Sequence, residues 1–78
     1  MKIGVQGIMP MYRNTVVEIV ESIENPAFTH IDQPGIPGTT IAFQCDGDDA
    51  DAMAALVKST LRASAWGKGH AFFVTSLA

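Results

Sequence analysis

The chain has 78 residues, 47% of them hydrophobic and 17% charged, and a formal net charge of −3. This composition is typical of one compact domain and excludes a disordered tail, while the negative charge disfavours nucleic acid and anionic membranes as partners. The single cysteine, Cys45, excludes a disulfide-stapled secreted scaffold. No hydrophobic run approaches the roughly 18 residues of a membrane span, so we expect a cytoplasmic protein.

The first part of the chain predicts a strand followed by a helix. Residues 2–9 alternate in the manner of a strand. Thr15 and Glu18 have the spacing of a capping box, so the helix is expected to begin at Thr15 and to stop at Asn25-Pro26. Its apolar stripe repeats at helical spacing and consists of Val16, Ile19, Val20 and Ile23.

The remaining elements are separated by residues that favour turns. In chain order they are a strand at 27–32, a connector at 33–38, a strand at 39–45, a helix at roughly 49–65 and a strand at 70–77. Asp48 or Asp49 is expected to cap the second helix at its start, and Gly67 to follow its end at the C′ position.

The order strand, helix, strand, strand, helix, strand predicts an α+β fold. With right-handed crossovers it closes most simply as a ferredoxin-like sandwich, an antiparallel sheet in spatial order 4-1-3-2 with both helices on one face. We therefore expect one domain over residues 1–78. One helix layer leaves the second face of the sheet without cover, and this fold by itself does not assign a function.

The uncovered face is the main candidate binding surface because its predicted side chains carry almost no charge. A sheet face open to water normally presents charged or strongly polar residues. One of the adjacent rings of Phe72 and Phe73 must point outward, and we assign Phe72 to this face. The assigned residues are Gly4, Gln6, Ile8, Thr40, Ala42, Gln44 and Phe72. Ile36 is expected to be exposed at the tip of the 33–38 connector and to add to the surface.

The segment Val5-Gln6-Gly7-Ile8, with Arg13 beyond it, resembles the signature of the acylphosphatase family. The resemblance covers about nine residues and implies that Gly7 and Arg13 bind an anion. The family places its arginine where this chain has Met11, two positions before Arg13. Residues 27–32 also lack the asparagine that orients the attacking water in the family, which favours anion binding over catalysis.

A metal site is not expected at the acidic segment before the second helix. Asp46 and Asp48 occupy the first and third positions of an EF-hand loop, but Ala50 and Val57 occupy the fifth and twelfth. The acidic residues suit the positive end of the helix instead. We therefore expect no metal and no cofactor.

Two further candidate sites are a metal site at the two histidines and an RNA-binding motif in residues 68–74. His30 and His70 fall on opposite edge strands of the predicted sheet, too far apart to share one ion with Cys45 in one subunit. Residues 68–74 resemble the RNP1 signature of RNA-recognition motifs. The segment lies on the fourth strand instead of the third, and base stacking needs adjacent rings on a basic surface.

The sequence favours a non-enzymatic domain that binds protein, either a second copy or a partner, through the uncharged face or an edge strand. Small acidic domains of this type include phage inhibitors that block a host complex, of the anti-restriction or anti-CRISPR class. One alternative is a regulatory domain of the ACT type that binds a small molecule. The other is a degenerate acylphosphatase-like domain that binds or hydrolyses an anion.

Overall fold

The computed structural model describes residues 1–77 as a small α+β fold. The elements are β1 (Lys2–Gln6), a 3-10 helix (Pro10–Tyr12), α1 (Arg13–Glu21), β2 (Phe28–Ile31), β3 (Ile41–Cys45), α2 (Ala50–Ala63), α3 (Ala65–Lys68) and β4 (Phe73–Leu77). The predicted order of strands and long helices is confirmed. The 3-10 helix and α3 are additions that the sequence patterns did not predict.

The four strands form one antiparallel sheet in the order β2-β3-β1-β4, which is the predicted spatial order. Ile3 and Val5 of β1 lie opposite Phe43 and Ile41 of β3. Because side chains alternate along a strand, these four residues share one face of the sheet.

The helices cover that face and bury the core against it. The stripe of α1 contributes Val16 and Val20, and α2 contributes Val57 and Leu61. The members with no exposed surface are Ile3, Val5, Ile8, Val16, Val20, Ile41, Phe43, Val57 and Leu61. The alternation along the strands makes one face of the sheet apolar, and the helical spacing makes one side of each helix apolar. These apolar surfaces pack together and exclude water.

The first helix begins earlier than predicted. The 3-10 helix leads directly into α1 at Arg13. Tyr12, the N-cap residue of α1, makes no side-chain capping hydrogen bond. Thr15 therefore lies inside the helix, and the predicted capping box does not form. Proline is favoured in a first helical turn because its missing N–H is not needed there, and Pro10 has that position here.

The predicted cap of the second helix is confirmed, but its predicted end is wrong. The Asp49 carboxylate accepts a hydrogen bond of 3.1 Å from the Ala52 N–H. At the other end Ser64 joins α2 to α3, since its hydroxyl donates to the Leu61 carbonyl and accepts from the Gly67 N–H. Gly67 is a buried residue of α3 and not a C′ glycine.

Candidate functional site

The second face of the sheet carries no helix and is called here the helix-free face. Gly4 of β1 is paired with Ala42 of β3 and Thr75 of β4, and paired residues point to the same face of a sheet. The pairing between neighbouring strands therefore identifies the residues of this face on all four strands. The face consists of Lys2, Gly4, Gln6, Thr29, Ile31, Ala42, Gln44, Phe73, Thr75 and Leu77. Among these strand residues Lys2 alone is charged, so the predicted lack of charge is found in the structure.

The predicted residues of this face differ in their exposure. Gln6 and Gln44 are open to solvent, whereas Gly4 is buried. A Cβ atom added to Gly4 would lie 2.9 Å from the end of the Leu77 side chain, so Leu77 covers this position. Ala42 is only 1% exposed and Thr40 only 5%. Gly4 and Ala42 are therefore closed by the chain itself, whereas the accessible residues of the face are Gln6, Thr29, Gln44, Phe73 and Thr75.

Ile8 is not on the helix-free face, which corrects the assignment made from the sequence. Gly7 has a φ of +81°, a conformation that glycine adopts without steric cost, and β1 ends before it at Gln6. The alternation of side chains stops at this turn. Ile8 enters the core with no exposed surface, and its N–H donates 2.9 Å to the Thr39 carbonyl.

Phe73, and not Phe72, carries the outward ring. Phe72 precedes β4 and is 4% exposed in the core, with the Arg62 guanidinium 4.6 Å from its ring centre. Phe73 is the first residue of β4, lies opposite Gln6 and is 72% exposed. The sequence required one outward ring, but the choice depends on the residue at which β4 begins to pair with β1.

Arg13 holds the connector between β2 and β3 in place. One guanidinium nitrogen donates to the Gly38 carbonyl at 2.9 Å and to the Thr40 carbonyl at 3.3 Å. Beside it lies an open groove of about 340 Å³, lined by Arg13, Ile31, Asp32, Gln33, Pro34, Ile36, Pro37, Gly38, Thr40 and Ala42. Ile36 is half-buried in this lining, which corrects its expected position on an exposed tip.

The predicted pairing of Gly7 with Arg13 is not present in this arrangement. Gly7 lies outside the lining of the groove, and the neighbouring Ile8 N–H is already bonded to the Thr39 carbonyl. A phosphate cradle needs free N–H donors that converge on one point. Arg13 remains a candidate for anion binding, but the groove beside it is lined by apolar residues and by the Asp32 carboxylate.

An aromatic cluster that the sequence did not predict connects the 3-10 helix to the start of β4. The Trp66 and His70 rings are stacked at 4.8 Å, and the Tyr12 ring meets His70 edge-on at 4.5 Å. Trp66 also approaches Phe72 at 5.7 Å. Because a carbonyl oxygen only accepts, His70 Nδ1 donates its proton to the Trp66 carbonyl at 2.7 Å.

Cys45 is a core residue with 3% exposure. Within residues 1–77, no three His, Cys, Asp or Glu side chains are grouped so that they could hold a metal ion. In the same range, no helix combines the length and the apolar character needed to cross a membrane. The chain has no significant match among protein-family models, curated proteins or solved structures.

Proposed function

We propose that this chain is a ferredoxin-like, non-catalytic domain that binds protein through the helix-free face and the free edge of β4. The observation that carries the proposal is Phe73, which is 72% exposed on a face with a single charged strand residue. Complete burial of such a side chain contributes about 1.5–3 kcal/mol. Aromatic residues on an uncharged surface are characteristic of the centre of a protein interface.

The edge of β4 offers a second mode of contact that is continuous with the face. The strand Phe73–Leu77 has the sequence FVTSL, without charge or proline, and it lies at the end of the strand order. Natural edge strands are usually protected by charge, proline or a bulge. An added strand would form backbone hydrogen bonds along β4 while its side chains reached Phe73.

A single substitution on the face tests the proposal. We expect Phe73→Glu to abolish association, because it places a charge where an apolar ring would be buried. The control Ala55→Glu adds the same charge at an exposed position of α2. Sedimentation velocity over a wide range of concentrations measures self-association of the wild type and both variants.

If the wild type stays monomeric, the same three proteins serve as bait in extracts of the source organism. A partner retained by the wild type and by Ala55→Glu, but lost with Phe73→Glu, supports docking, including the inhibitor function. A wild type that neither self-associates nor retains a partner through Phe73 contradicts the proposal.

The groove beside Arg13 favours a second candidate function, the binding of a small organic anion. Its volume of about 340 Å³ is at the lower end of the range for ligand pockets. Ile31, Ile36 and Pro34 supply apolar walls, and Arg13 supplies a positive charge already oriented by two carbonyl groups. The anionic group of such a ligand would lie at Arg13 and away from Asp32, the one carboxylate of the lining, with the apolar body of the ligand along the walls, as in the regulatory and acylphosphatase-like alternatives.

Phenyl phosphate, benzoate and inorganic phosphate are suitable probes for the groove. We expect the two organic anions to shift the amide resonances of Ile31, Thr40 and Ala42, and inorganic phosphate to do so more weakly. Arg13→Gln should remove the response, whereas Lys68→Gln, which removes an exposed charge from α3, should preserve it. Hydrolysis of benzoyl phosphate that depends on Arg13 would favour the enzyme; no shift with any probe would exclude this function.

A further inference from the structure

Four of the eight acidic residues and three of the five basic residues lie at opposite ends of the sheet, although Lys2, at the start of β1, lies at the acidic end. Asp46, Asp48, Asp49 and Asp51 follow β3 and lie at the end of the sheet where β1 begins. Because α2 runs back along the sheet, its last turn brings Arg62 to the opposite end. Lys68 of α3 and Arg13 at the start of α1 lie at that end as well. Asp32, after β2, is a carboxylate on the same side.

The exposed large hydrophobic side chains lie at this basic end. They are Met9 at 54%, Met11 at 70% and Phe73 at 72% exposure. Phe73 is opposite Gln6, the last residue of β1, and Met9 follows shortly after the Gly7 turn. Exposed methionines are frequent on binding surfaces because the flexible thioether adapts to different partners.

The aromatic cluster connects the chain segments that carry these side chains at the basic end. Tyr12, next to Met11, contacts His70 and Trp66, and Trp66 approaches Phe72, next to Phe73. Arg62 lies over the Phe72 ring on the helix-covered side of the sheet, whereas Phe73 faces the helix-free side. The residues Met9, Met11, Phe73, Arg62 and Lys68 are called here the basic apolar end.

We propose that the basic apolar end binds an acidic, extended segment of a partner protein in which apolar residues alternate with Asp or Glu. This inference rests on the proposed function and specifies the chemistry of the partner. Apolar side chains of the segment contact Met9, Met11 and Phe73, while its carboxylates lie near Arg62 and Lys68. The free edge of β4 begins at Phe73, so an extended segment can add its backbone there.

Charge complementarity favours such a segment over a second copy of this chain. The acidic end of another copy has carboxylates, but Met53 and Leu77 at that end are only partly exposed, so they match Phe73 and the methionines poorly. At physiological salt the Debye length is about 8 Å, well below the 30 Å extent of the molecule. A short acidic segment at the basic end is therefore largely screened from the net charge of −3.

Membranes and nucleic acids fit the same surface less well. Recognition of anionic lipid typically uses clusters of 4–8 Lys or Arg, more than the three cations Arg13, Arg62 and Lys68 at this end. Stacking of bases needs accessible rings side by side. Here Phe72 is buried, and the Trp66 and His70 rings stack on each other.

Synthetic eight-residue peptides test the proposal on the full chain. The acidic peptide alternates Leu or Phe with Glu. The Gln peptide and the Lys peptide have the same sequence with Gln or Lys in place of Glu. We expect the acidic peptide to bind at least tenfold more tightly than the Gln peptide at 50 mM NaCl, with a smaller difference at 500 mM. Amide resonances near Met9, Met11, Phe73 and Lys68 should shift.

Charge reversal at the surface provides the matched variants. The double variant Arg62→Glu and Lys68→Glu should no longer bind the acidic peptide and should bind the Lys peptide more tightly than the wild type does. Lys58→Glu makes a similar change in the middle of α2 and should alter binding less than twofold. If the change at Arg62 disturbs the contact with Phe72, the single variant Lys68→Glu replaces the double variant. We expect it to weaken the binding of the acidic peptide by about threefold to tenfold.

Equal binding of the acidic and Gln peptides, or equal effects of Lys58→Glu and Lys68→Glu, would overturn the inference. Shifts confined to another surface would also overturn it, as would tighter binding to phosphatidylserine vesicles or to a single-stranded oligonucleotide. If Phe73→Glu abolishes association but charge reversal has no effect, the proposed function stands and only the acidic nature of the partner is wrong.

Discussion

Gly67→Ala is expected to lower the free energy of unfolding by about 3 kcal/mol or more. An added Cβ would overlap the Leu61 carbonyl oxygen, and it would lie 2.6 Å from the Leu61 carbonyl carbon. Both atoms belong to the backbone of α2, so no side-chain rotation relieves the overlap. The only response is to move α3 away from α2, which breaks the Ser64 bond to the Gly67 N–H.

Urea unfolding measures this effect, and Gly69→Ala is the control because a Cβ there meets nothing within 4 Å. Helix propensity alone predicts that Gly→Ala stabilises a helix interior by roughly 0.5–1 kcal/mol. The steric argument therefore predicts the opposite sign from propensity. A Gly67→Ala variant as stable as the wild type would show that α3 does not need its close packing on α2.

Gly67 also affects the proposed binding surface, because α3 carries Trp66 and Lys68. Displacement of α3 would move Trp66 away from His70 and Phe72. We therefore expect any folded Gly67→Ala protein to lose affinity for acidic peptides. The Gly69→Ala control should retain it.

Phe43→Ala is expected to cost about 3–5 kcal/mol, whereas Phe73→Ala should change stability by less than about 0.5 kcal/mol. Both residues are phenylalanines in strands. Phe43 is fully buried on the helix-covered face, and Phe73 is 72% exposed on the helix-free face. A chain of 78 residues has a total stability of about 4–12 kcal/mol, so Phe43→Ala removes a large part of it.

Thermal and urea unfolding of the two variants measures the difference, with the wild type as reference. This pair separates folding from binding, because a stable Phe73→Ala protein that fails to associate has lost only an intermolecular contact. A loss of stability similar to that of Phe43→Ala would mean that Phe73 packs within the monomer. The helix-free face would then not be available to a partner.

Much of the fold follows from local patterns in the sequence. The alternation around Ile3 and Val5, and around Ile41 and Phe43, predicts which side chains face the core. The helical spacing of Val16 and Val20 predicts the buried stripe of α1. Asp49 at the start of α2 is a cap of the preferred type. These features depend on neighbours within a few residues, so periodicity and propensity suffice to predict them.

The candidate site depends on contacts between distant parts of the chain. The outward direction of Phe73 depends on its pairing with Gln6, and the turn at Gly7 removes Ile8 from the face. Arg13 reaches the Gly38 carbonyl, 25 residues away. The aromatic cluster joins Tyr12 to Trp66, and no local pattern relates two residues so far apart.

The sequence by itself determined the strands, the long helices and a sheet face nearly free of charge. Only the tertiary structure decided that Leu77 covers Gly4, that Phe73 is accessible and that basic and apolar groups meet at one end. The physical reason is that a strand's alternation specifies two faces but not where the strand begins to pair. A shift of one residue exchanges every side chain between core and solvent.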